Sequence, residues 1–187
     1  MNDAIHWSGL ALVLGALAIA VGIVSSSMRP LADQPAPTAS ATFLMVAATL
    51  LLLGLPGMYA AQADATGTLG LIGHALLATG MLLLVAYAAP TLLDPAYHQP
   101  RGESVLAFVL GIALTVGLLL TGITTFQAGV LPQPAAALIL VATAGFFFVF
   151  FVAEFLPPLA GQIGSALFAC MLAIGLAWIG AMLWLRS

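Results

Sequence analysis

Few side chains in this sequence could do chemistry, and their spacing decides what each could do. His74 stands in Gly67-Thr68-Leu69-Gly70-Leu71-Ile72-Gly73-His74-Ala75-Leu76-Leu77-Ala78, well inside an apolar run. An imidazole at that depth packs with its hydrogen bonds satisfied, relays protons or holds a cofactor. Gly67, Gly70 and Ala78 share its helical face, and small residues let another helix approach. His74 is therefore expected to face protein, as a hydrogen-bonded packing residue first and a ligand-binding residue second. Haem in a helical bundle usually takes two histidines at similar depth. His6 and His98 lie at opposite sides, so no cofactor is expected. Glu154 ends another apolar run, where the helix dipole opposes a carboxylate. A partner is expected for it, and Arg101 or Arg29 on the same side would make a structural ion pair. Phe146 to Phe151 form an aromatic band that fills core or meets lipid. The sharper reading gives Phe147 and Phe151 a ligand-binding role together with His74. Asp94, His98 and Glu103 share one loop at a spacing that matches no metal motif, so no metal site is expected. No catalytic residue stands out, and the chain is not expected to be an enzyme.

The composition explains why such residues are rare. The chain has 187 residues, 63% hydrophobic and 5% charged, with a mean hydropathy of +1.21. Soluble domains carry roughly a quarter charged residues. Three arginines and six carboxylates cannot build a water-facing surface of this size. The lipid bilayer is thus the first partner. With no lysine and a net charge of −3, nucleic acid is excluded as a partner. Cys170 is the single cysteine, so neither an intrachain disulfide nor a thiolate cage is possible.

Six apolar runs position these residues. They cover about 7–26, 41–61, 68–89, 104–126, 134–156 and 161–185, separated by Pro- and Gly-rich polar links. Each is long enough to cross a hydrocarbon core of about 30 Å as a helix. None alternates as a barrel strand does. The fold class is therefore all-α, a polytopic membrane bundle of six transmembrane helices with antiparallel neighbours. The first run follows an acidic residue and is too long for a secretory leader, so it reads as a retained span. Six spans put both termini on one side. Arg29 and Arg101 lie on the other, which the positive-inside rule makes cytoplasmic, leaving the termini outside.

Two stretches echo each other. Leu10-Ala11-Leu12-Val13-Leu14-Gly15 and Leu106-Ala107-Phe108-Val109-Leu110-Gly111 share five of six residues. Gly67 and Gly70 recur as Gly161 and Gly164. The expectation is two inverted three-helix repeats, 1–90 and 104–187, joined by a polar loop at 91–103. A ligand would then sit between them near His74, where spans three and six face each other. Gly15, Gly67, Gly70, Gly111, Gly161 and Gly164 are the expected helix-packing glycines.

The segment Pro56-Gly57-Met58-Tyr59-Ala60-Ala61-Gln62-Ala63-Asp64-Ala65-Thr66-Gly67, followed by Leu69-Gly70-Leu71-Ile72-Gly73, resembles a junction in small bacterial six-span polytopic membrane proteins. The resemblance covers about twenty residues and implies a bacterial inner-membrane location, but no activity. The first functional expectation is a non-catalytic accessory or scaffolding subunit, in a homo-oligomer or with other membrane subunits. The second is a carrier or binding protein for a small uncharged or lipophilic molecule.

Overall fold

The computed structural model describes residues 2–27, 37–94, 105–152 and 158–186. Among these the secondary structure is entirely helical: α1 (Asn2–Ser27), α2 (Pro37–Ala60), α3 (Ala63–Leu93), α4 (Val105–Ala128), α5 (Gln133–Val152) and α6 (Pro158–Arg186). Five helices are long and apolar enough to cross a membrane: α1, α2, α3, α4 and α6. In α5 the apolar stretch found is the shorter Gln133–Phe148. These helices mark a polytopic membrane protein. Large apolar side chains such as Leu53, Phe108, Phe148 and Leu167 stand exposed on the outer wall.

Local chemistry sets the helix ends. Pro37 and Pro158 open α2 and α6, where a missing N–H costs nothing. Gly129 follows α4 at φ 64°, and its N–H donates to Thr125 O at 3.4 Å. The third helix departs from the expected 68–89 at both ends. It begins at Ala63, breaks at Gly67 (φ 56°, ψ −148°), and runs through Pro90 to Leu93. Proline here bends to its context: the Asp94 N–H donates to Pro90 O at 3.0 Å and closes a last turn.

The helices form a ring in sequence order, each antiparallel to the next, with α6 closing on α1. The register follows from the glycines. Gly54 and Gly57 of α2 meet Leu12 and Ser8 of α1, and Gly15 of α1 meets Leu51. Gly73 and Gly80 of α3 meet Thr121 and Leu114 of α4, while Gly117 receives Leu77. Gly122 meets Leu140 on α5, and Gly145 receives the Phe168 ring from α6. The closing seam sets backbone against backbone. A Cβ on Gly9 would lie 2.6 Å from Gly180 O, and one on Gly180 would lie 2.6 Å from Gly9 O. Beside it His6 stacks on Trp184 with ring centroids 3.7 Å apart, and its Nδ1 donates to Trp184 O at 3.0 Å. α2 and α6 also touch beside α1.

The echoed glycines stand in different surroundings: Gly15 touches Leu51, whereas its counterpart Gly111 faces open space. Gly67 breaks a helix, whereas Gly161 lies within one. Among the described residues, nothing lies within 4 Å of a Cβ built on Gly67, Gly111 or Gly161, so no helix contact is seen there. At Gly70 the Cβ would meet only Thr66 of its own helix.

Three substitutions separate these roles. Gly9→Val should cost roughly 1–3 kcal/mol, because backbone cannot yield as a side chain can. Gly67→Ala should cost about 1–3 kcal/mol through backbone strain alone, in empty space. Gly111→Ala should be neutral or gain up to about 1 kcal/mol. Thermal melts of the purified variants in one detergent give the ranking.

Candidate functional site

His74 lies on the interior face of α3 and is 5% exposed. Its Nδ1 is 2.8 Å from Gly70 O, four residues back. A carbonyl can only accept, so Nδ1 carries the hydrogen and donates. The neutral ring then presents a lone pair at Nε2, and that atom is buried without a partner. The Tyr59 ring of α2 stands at 5.3 Å, tilted by 58°. Gly70 permits the arrangement, since Thr66 occupies the space its side chain would need. The Thr66 hydroxyl is turned back to Gln62 O at 3.0 Å.

Three further residues on this half of the bundle repeat the pattern. Gln62, in the turn between α2 and α3, is 1% exposed, and neither its Oε1 nor its Nε2 has a partner. On α4 the hydroxyls of Thr121 and Thr125, 2% and 0% exposed, are also unpaired. These two threonines are four apart, so they share a face. A Cβ on Gly73 would lie 3.1 Å from Thr121 Oγ1, which sets that hydroxyl beside the residue preceding His74. The antiparallel register then carries Thr125 one turn nearer the Gln62 end. Thr124 differs, because its hydroxyl donates to Leu120 O at 2.8 Å. Buried polar atoms in native proteins are nearly all hydrogen-bonded. Five unpaired atoms on one end of one bundle are a group that calls for an occupant.

The arrangement offers an acceptor at His74 Nε2, two hydroxyls that donate or accept, and an amide that does both. It is a hydrogen-bonding set for a neutral molecule. Metal cages take several nitrogen, sulfur or carboxylate donors, and no three His, Cys, Asp or Glu come together among the described residues.

The other expected site residues fall elsewhere. Phe147 is on α5 and 51% exposed, on a helix with no extended contact to α3. The side chain of Phe151 lies outside the described residues. So do Arg29, Arg101 and Glu154, the members of the expected ion pair. Among the described residues α3 packs on α2 and α4 and has no extended contact with α6, where a seam of spans three and six was expected. Gln62 was not expected here, and Thr121 and Thr125 read from sequence as helix-contact residues and not as site residues. The signal was there as polar residues at four-residue spacing, Thr121 and Thr125 on one helix, Gln62 and Thr66 leading into Gly70 and His74 on the other.

No family model matches the chain, and neither a curated protein nor a solved structure matches it.

Thr125→Val keeps the side chain's shape and removes a hydroxyl without a partner. In ligand-free protein it should raise stability by about 1 kcal/mol, seen as a melting point a few degrees higher. Thr124→Val, which breaks a made bond, should not.

Proposed function

We propose that this chain is a six-span membrane protein that binds a small uncharged molecule in the half of its bundle holding His74. The observation behind the reading is the set of five buried, unpartnered polar atoms on Gln62, His74, Thr121 and Thr125. Unfilled, such atoms are each a cost of about 1–3 kcal/mol. A bundle that keeps four of these residues together does so for an occupant. The roles are those of binding: His74 accepts a hydrogen bond, and the threonines and glutamine orient the bound molecule.

In this reading α5 crosses the bilayer with the other five helices, and both termini lie outside a bacterial inner membrane. The site then opens nearer the outer face, at the end where α2 turns into α3. A scaffolding or accessory role is the second reading. It is favoured by the continuous apolar wall, where Leu17, Val46, Phe108 and Ile174 could equally meet another subunit or a second copy.

Native mass spectrometry of the gently extracted protein separates the two. Binding predicts a copurifying small molecule that is lost in His74→Phe. Scaffolding predicts a stoichiometric protein partner and no difference between wild type and His74→Phe. Reporter tags at the two ends should read on the same face of the membrane; opposite faces would remove one span.

A further inference from the structure

We infer that the molecule bound beside His74 is a small polar solute carrying its own hydrogen-bond donor, a hydroxyl or amide compound of few heavy atoms. The inference rests on the binding reading above and narrows its ligand class.

The donor requirement comes from the imidazole. Its Nδ1 hydrogen is committed to Gly70 O at 2.8 Å, so Nε2 can only accept. A quinone, ketone or ether offers no hydrogen to that atom. An apolar molecule would fill space and leave all five polar atoms unpaired, which is the costly outcome. Charge is disfavoured as well. The four side chains are an imidazole, an amide and two hydroxyls, with no ionic partner among them, and an unpaired buried charge is costlier than an unpaired dipole. What remains is a neutral molecule with both donors and acceptors.

Size follows from the helix spacing. At the level of His74, α3 and α4 are in backbone contact, with a built Gly73 Cβ 2.9 Å from Thr121 N. No ring passes between them from the lipid. Gln62, in the turn that leads into α3, keeps its amide buried without a partner. Just past it the helix is broken at Gly67, so Ala63–Thr66 form a separate turn over that end.

The test uses the full chain in detergent, with labelled glycerol, urea and 1,4-benzoquinone as probes in equilibrium dialysis. Ring nitrogens are followed by 15N NMR, with the His74 signals assigned from His74→Gln. Glycerol or urea should be retained, and the Nε2 resonance of His74 should move as either is added. Thr121→Val and Thr125→Val, checked for folding by melting, should each weaken retention about tenfold. Retention of benzoquinone alone overturns the donor requirement but leaves the binding reading standing. Retention of glycerol or urea with an unmoved His74 signal places them elsewhere and overturns the inference. If no probe is retained and Nε2 is already bonded to exchanging water, the polar atoms hold structural water only, and both readings fall.

Discussion

The backbone contact of Gly9 with Gly180 closes the ring, and the interior exists because it is closed. In lipid the hydrocarbon tails are as apolar as the side chains, so hiding a leucine from them gains little. Helices associate through close packing, and closeness is limited by side chains. At this seam neither residue has one, and each carbonyl lies where the other's Cβ would be. The same device recurs along α1 and α2, where Gly54 and Gly57 admit Leu12 and Ser8. Leu12, Leu51, Ile179 and Leu183 are then almost wholly buried. Their dispersion contacts, small singly and large together, hold the half of the bundle that lies away from His74.

The polar half follows a different rule. Around His74 the helices are held just as closely, through Gly73, Gly80 and Gly117. Hydroxyls and an amide stand where leucine could have stood. An apolar core there would be cheaper, since an unpaired polar atom in a dry interior loses its water and gains nothing back. The bundle thus has one side, at α1 and α6, tuned for cohesion and another, at α3 and α4, that gives up cohesion for hydrogen-bonding capacity. The Gly70 carbonyl is central to that second side. By taking the Nδ1 hydrogen it fixes both the tilt of the imidazole and the side on which its lone pair points.

The sequence made the rods legible and left their faces hidden. Length and composition place six helices within a few residues of where they stand, because apolar runs between proline and glycine links leave few alternatives. Which side of each rod looks inward is another matter. The helices are apolar all round, so no stripe distinguishes core from lipid. That is why Gly111 and Gly161 read as contact residues and yet face open space, while Gly9 and Gly180 went unremarked. Repeated motifs such as Leu-Ala-x-Val-Leu-Gly are weak guides, since apolar helices draw on few residue types and echo one another. His74 could be placed facing protein from its small neighbours. Its companions on α4 could not be named without the register that pairs Gly73 with Thr121.

The seam between the first and last helices has a consequence for how the protein is made. As the chain leaves the ribosome, α1 can pair with α2 almost at once, yet its Gly9 face has no partner until α6 has been synthesised. Throughout that interval five helices must wait in an open arc, with a bare strip of backbone turned toward lipid or toward the insertion machinery. Assembly therefore includes one late docking event, and the ring cannot close before α6 is in place.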